Sequence, residues 1–218
     1  MSTLPNPEVS SGDVVDYGNA DARLHQLDPA LSVDLLRDAV VTAFREYASK
    51  VNSFFPINAR GTVMYQYTTA YLREQLYTEH GWGIDDTKNV ACAVSRSGNL
   101  RIACLAGGPG TGDMTSSPSP RKRGKGTIDV YGQVQLPGLE SNKDASDKKF
   151  WYLLTYINDY GSAIHAELSC PVIDSSGSIT DWSERIELGP FEFEASANIE
   201  FPTSEPPVID VRRKASSE

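Results

Sequence analysis

The sequence predicts an α+β fold in which two N-terminal helices pack on a mostly antiparallel β-sheet of about five to six strands. Three observations carry this expectation. Apolar residues recur at helical spacing up to about residue 80. Period-two alternation replaces that spacing from about residue 89, and no helical segment separates the later strands. The missing strand–helix alternation argues against a doubly wound nucleotide-binding sheet.

The first helix opens at Asp28-Pro29, an N-cap residue followed by a proline in the first turn, with Ser32 as a competing cap. Val33, Leu36, Val40, Ala43, Phe44, Tyr47, Val51 and Phe54 then recur at steps of three and four, opposite Asp34, Arg37, Asp38, Arg45 and Glu46. That spacing draws one apolar stripe, which Pro56 ends. A second helix is expected over 62–80, with Met64, Tyr67, Tyr71, Leu72 and Leu76 inward. Gly81 suits the left-handed position after it, and His80 suits the negative end of its dipole.

Residues 89–95 and 100–106 read as short strands joined by Arg96-Ser97-Gly98-Asn99, a hairpin signal. Ile128, Val130, Val134 and Leu136 alternate with polar neighbours and predict another strand. Residues 150–157 are apolar on both faces, as in a central strand. Residues 163–170 alternate, with Ile164, Ala166, Leu168 and Cys170 on one side, and 182–188 supply a last strand that Phe191 and Phe193 extend past Gly189-Pro190.

The 218 residues suit one domain with tails. Residues 1–28, rich in Pro, Ser, Gly, Asn and Asp, are expected as a flexible N-terminal segment, 29–196 as the single α+β domain, and 197–218 as a flexible C-terminal tail. The formal charge of −9 excludes a surface that is basic overall, though not a local basic patch. No apolar run reaches the ~20 residues that span a bilayer, and the N-terminus lacks a signal-peptide pattern, so no membrane contact and a cytoplasmic location are expected. Cys92, Cys104 and Cys170 fit no zinc spacing and read as free, buried thiols, with Cys92 and Cys104 near enough across a hairpin for an adventitious disulfide. No cofactor or metal is expected.

Gly107-Gly108-Pro109-Gly110-Thr111-Gly112-Asp113 follows an apolar strand and resembles the phosphate-binding loop of AAA-type ATPases. Asp113 stands where that loop carries lysine, Met114 replaces the magnesium-binding hydroxyl, and Thr115-Ser116-Ser117-Pro118 cannot start a helix. The expected role is a tight turn. Beyond it, Arg121, Lys122, Arg123 and Lys125 place four positive charges in five residues. Such a run suits phosphate in nucleic acid, an acidic partner, or the chain's own residues 181–210, which carry eight acidic residues and one basic.

His165 and Glu167, with Ser169, share the polar face of their strand, and a histidine–carboxylate pair can serve as acid and base or as metal ligands. An exposed polar sheet face is the plainer expectation. Tyr65, Tyr77 and Trp82 are expected to face outward from the second helix and its end as a protein interface, while Tyr67 and Tyr71 join its buried stripe. The run Ala166-Glu167-Leu168-Ser169, then Gly177, then Trp182-Ser183-Glu184-Arg185-Ile186, is similar to runs in uncharacterised bacterial proteins found near mobile elements. That resemblance implies a mobile-element or phage-conflict setting and no particular activity.

These features together point to a non-catalytic protein-interaction module, a subunit or accessory factor of a larger bacterial assembly. Two alternatives are a nucleic-acid-associated protein gripping phosphate through 121–125, and a metal- or acid/base-dependent hydrolase using His165 and Glu167.

Overall fold

The computed structural model of the protein describes residues 12–52, 54–56, 59–118, 149–158, 163–174 and 178–192. In chain order the elements are β1 (Asp13–Val15), α1 (Tyr17–Leu27), α2 (Val33–Lys50), α3 (Ala59–His80), β2 (Gly83–Asp85), a 3₁₀ turn at Thr87–Asn89, β3 (Cys92–Val94), β4 (Leu100–Ala106), β5 (Lys149–Ile157), β6 (Ala163–Ile173) and β7 (Ile179–Glu192). The strand expected near residues 128–136, the basic run 121–125 and the tail 197–218 lie outside the described residues.

Residues 13–27 correct the expectation of a flexible lead-in, because they form β1 and α1. Asp16 caps α1 by accepting the Asn19 N–H at 3.1 Å. Ala20 and Leu24, one helical turn apart, are fully buried, and the Arg23 guanidinium makes a two-point ion pair with Glu184 of β7. Two small apolar anchors leave little trace in composition, and the rest of the docking comes from β7.

Ser32 is the cap of α2, accepting the Leu35 N–H at 3.1 Å, while the Asp28 carboxylate serves the turn between α1 and α2 by accepting the Ala30 N–H at 2.9 Å. The helix stops at Lys50 rather than running to Pro56. The Asn52 side chain accepts the Phe54 N–H and its carbonyl accepts the Phe55 N–H, both at 3.0 Å, a turn that competes with helix. Phe54, which the spacing places in the buried stripe, is consequently 93 % exposed. At the end of α3, Gly81 sits at φ +67°, and Trp82 N–H bonds back to the Leu76 carbonyl at 3.0 Å. This Schellman closure folds Trp82 into the core.

Among the described residues, seven strands lie in the order β1-β7-β6-β5-β4-β3-β2. Pairs β1–β7 and β4–β5 are parallel and the other four antiparallel, so the sheet is mixed and wider than the five to six strands expected. A parallel β4–β5 pair needs a connection of a dozen residues or more, which residues 107–148 supply. Alternation within each strand carries no information about that direction.

All three helices cover one face of the sheet. Leu36, Ala39, Val40 and Ala43 of α2 and Leu72 and Leu76 of α3 meet Ile102, Trp151, Leu153, Ile164, Leu168, Ile186 and Leu188 in one cluster. Each fully buried Leu or Ile there contributes about 1.5–3 kcal/mol. The opposite face holds a second cluster, with Cys92, Leu105, Phe150, Tyr152, Leu154, Ile179 and Trp182. Cys92 lies opposite Ala103 on that second face, whereas Cys104 belongs to the first. The two thiols therefore point to opposite sides of the sheet and are not placed for the disulfide that proximity suggested; all three cysteines are free.

Candidate functional site

The second face contains the most concentrated polar chemistry of the described residues. Strand alternation turns Glu167 and Ser169 of β6 and Arg185 of β7 to this side, with Ser169 and Arg185 directly paired across the two strands. The plain expectation of an exposed polar face does not hold for them: Glu167 is 1 % exposed, Ser169 fully buried and Arg185 6 % exposed.

Burial is tolerated because every oxygen of the carboxylate is occupied. Glu167 Oε1 accepts the Ser169 hydroxyl at 2.6 Å and Arg185 Nε–H at 3.0 Å. Its Oε2 accepts an Arg185 Nη2–H at 2.6 Å and the Gly112 N–H at 2.7 Å. Arg185 then donates onward to the carbonyls of Ser116 at 2.9 Å, Gly110 at 3.0 Å and Asp113 at 3.1 Å. A buried ion pair survives only when its remaining donors and acceptors are satisfied in this way.

The glycine-rich loop thus takes an anion, and the anion is the protein's own. Gly112 N–H points at the Glu167 carboxylate, while the loop's carbonyls face a guanidinium. A phosphate cradle needs several convergent N–H groups, and this loop presents oxygens instead. Two of its glycines answer local crowding: a Cβ on Gly107 would come within 2.2 Å of Thr111 Oγ1, and Gly110, at φ +94°, lies against the Ser117 carbonyl. Asp113, held down to about 2 chiefly by the Thr115 hydroxyl and amide, closes the turn onto Thr115 and Ser116. Where the described loop ends, Trp182 Nε1–H donates to the Pro118 carbonyl at 3.1 Å. An irregularity between the Cys170–Glu184 and Pro171–Trp182 pairs lets Trp182 reach this face, although Glu184 serves the other.

Another arginine–carboxylate pair lies at the β2 end of the sheet. Arg101 of β4 pairs with Asp85, whose carboxyl is held down to about 2, first by Thr87 and then by Arg101. Arg73 of α3 reaches the same corner, donating to the Asp85 carbonyl at 2.8 Å, the Asp86 carboxylate at 2.7 Å and the Cys92 carbonyl at 3.2 Å.

The remaining sequence candidates separate. His165 is half-buried with its ring 6.4 Å from that of Tyr156, and no hydrogen bond joins it to Glu167. Among the described residues, no group of three His, Cys, Asp or Glu side chains converges to hold a metal. Burial pushes the Cys92 and Cys104 thiols up to about 12, which makes them poor nucleophiles. Tyr65 and Tyr77 are exposed on α3, whereas Trp82 is 2 % exposed and is core, a correction to its expected place in an interface. Arg121, Lys122, Arg123 and Lys125 lie outside the described residues.

Two features are weakly marked in the sequence. Arg185 is the one basic residue among the acidic residues of 181–210, and that isolation is its only signal. Helical periodicity draws Phe54 into an apolar stripe that Asn52 interrupts. No helix among the described residues is long and apolar enough to cross a membrane. Compared with known proteins, the chain matches no family model, no curated protein and no solved structure.

Proposed function

We propose that the protein is a non-catalytic interaction module, a subunit or accessory factor of a larger bacterial assembly of the mobile-element or phage-conflict kind. The observation that supports this most is Phe54, 93 % exposed in the α2–α3 connection beside the exposed Phe55 and Pro56. An aromatic ring held in water adds nothing to folding, and aromatic residues are enriched where partners make contact. Tyr65 and Tyr77 add aromatic surface along α3. The chemistry of Glu167 also favours this reading over a hydrolase, because its four hydrogen bonds leave it no capacity to act as base or metal ligand.

Co-purification from the native host tests the proposal. The unaltered protein is expected to retain a stoichiometric partner that the Phe54→Asp, Phe55→Asp double variant loses while keeping its melting temperature. Recovery of no stoichiometric partner across several salt concentrations, or equal recovery with the variant, overturns it.

A second reading rests on the basic run in an otherwise acidic chain. In this reading Arg121, Lys122, Arg123 and Lys125 grip nucleic-acid phosphate. The affinity is then salt-dependent, and the log–log slope falls by about 0.7–0.9 for each phosphate that the tetra-alanine variant no longer neutralises. An unchanged slope removes this reading.

A further inference from the structure

Between Tyr47 and Arg73 the chain carries Lys50, Arg60 and Arg73 and not one Asp or Glu, although 29 of its 218 residues are acidic. This stretch comprises the last turn of α2, the connection that exposes Phe54, and most of α3. An anion that approaches it meets no like charge from the stretch itself, and at physiological salt only nearby charges count.

Within the stretch, α2 and α3 assemble a set of hydrogen-bond donors at the surface. Lys50 Nζ donates to the Tyr67 hydroxyl oxygen at 2.7 Å, pairs with Glu46 at 2.5 Å and lies 4.7 Å from the centre of the Tyr67 ring. Tyr67 stacks on Tyr71 with ring centres 6.1 Å apart, and the Tyr71 hydroxyl donates to Glu46. Glu46, the nearest acidic residue on the N-terminal side, is therefore already engaged.

Two donors of this set are left over. An ammonium has three N–H groups, of which Lys50 spends one on Glu46 and one on Tyr67. Because the Tyr67 oxygen accepts, its own O–H remains to donate. Among the described residues, neither this O–H nor the third Lys50 N–H meets an acceptor. Their heavy atoms stand 2.7 Å apart, a spacing that one carboxylate can bridge.

An apolar contact surface adjoins these donors. Phe54 follows Lys50 by four residues, so their backbones are at most about 14 Å apart. The turn at Asn52 keeps the exposed Phe54, Phe55 and Pro56 at this corner of the molecule. A projecting aromatic ring is the kind of anchor that fills a concave apolar pocket on a partner.

We propose that this corner docks an acidic–apolar segment of a partner protein, with a partner carboxylate bridging Lys50 and Tyr67 and apolar side chains next to it covering Phe54 and Phe55. The inference rests on the interaction-module reading and adds to it the chemistry of the partner. Anionic lipid is the less favoured occupant. A lipid surface attracts through many basic groups at once, whereas this chain carries −9 overall and the donors here are few and directional.

The test uses the stoichiometric partner retained from the native host, identified by mass spectrometry and remade as overlapping synthetic peptides. Each peptide is titrated against the full-length protein. The peptide that binds should carry an Asp or Glu beside an aromatic or aliphatic residue. Phe54→Ala should weaken its binding about thirtyfold, and Tyr67→Phe, which keeps the stacked ring, about tenfold. Replacing the peptide carboxylate by its amide should weaken binding to the unaltered protein and leave Tyr67→Phe without further effect, because the two changes remove one interaction. A binding peptide without a carboxylate, or normal binding by Tyr67→Phe, overturns this inference and leaves the interaction-module reading standing. Failure to retain any partner overturns both. Sedimentation of the protein with phosphatidylcholine–phosphatidylglycerol vesicles that Phe54→Ala abolishes assigns the corner to lipid and overturns the proposal.

Discussion

Beneath the helices, the sheet presents Ile102, Leu153, Ile164, Leu168 and Leu188 to α2 and α3. On the other face Glu167, Ser169 and Arg185 sit beside Tyr152, Leu154 and Trp182. Both faces exclude water, but they do so under different constraints. Apolar contacts are undirected, so the helical face is held by total buried area and fit. The polar cluster is directional: three loop carbonyls and one loop amide must meet fixed donors and acceptors. It specifies one conformation of residues 110–116, at the risk of a large penalty when any member is removed.

That contrast can be broken most sharply at Arg185. Arg185→Ala leaves the Glu167 carboxylate buried without its counter-charge, and a loss of about 3–5 kcal/mol is expected by denaturant titration. Gly112 should simultaneously lose hydrogen-exchange protection. Pairing Arg185→Met with Glu167→Leu should return most of the stability, because well-packed apolar replacements of a buried ion pair are often neutral or better. The loop should stay loose in that double variant, since its carbonyls still lack their donor. If loop protection returns together with stability, the cluster does not specify the loop.

Leu36→Ala provides the counterpart on the helical face. The fully buried Leu36 should cost about 3 kcal/mol through reduced transfer energy and the cavity left behind. Gly112 protection in native conditions should be unchanged. Loosening of Gly112 comparable to that in Arg185→Ala would show that the two faces do not respond separately.

The smallest effect concerns the same ion-pair chemistry in a wetter place. Asp85–Arg101 is partly exposed, unlike Glu167–Arg185. The Asp85 carboxyl is depressed to about 2, so its stabilisation is present above the ordinary carboxylate range and is lost as pH falls toward about 2. Asp85→Asn should therefore cost about 1 kcal/mol at pH 7, and the difference from the unaltered protein should shrink below the ordinary carboxylate range and disappear as pH passes below about 2. A difference that persists unchanged at pH 2 assigns the effect to packing rather than charge.

Several of these features could be read directly from local pattern. The 3.6-residue spacing from Val33 to Tyr47 draws the buried face of α2, and alternation at Ile164, Ala166 and Leu168 places Glu167 and Ser169 on the opposite side of β6. Gly81 announces the end of α3 because few other residues tolerate its φ. Where the outcome depended on distant residues, the same reasoning stopped. The neighbours that bury Glu167 are Arg185, 18 residues later, and Gly112, 55 residues earlier. Residues 13–27 look too polar to pack until β7 provides an edge, a counter-charge for Arg23, and Gly189 against the Tyr17 ring.

By itself the sequence determined the buried faces of α2 and α3, which side of β6 is apolar, and that the net charge is negative. It did so because helix and strand periods, caps and turn residues act over a few positions. Tertiary structure alone decided the parallel pairing of β4 with β5, the docking of α1 on β7, and the sealing of an arginine–glutamate pair beneath a glycine-rich loop. Each of those depends on which segments meet, and a polar side chain becomes a buried anchor or a solvated surface group according to the partner that reaches it.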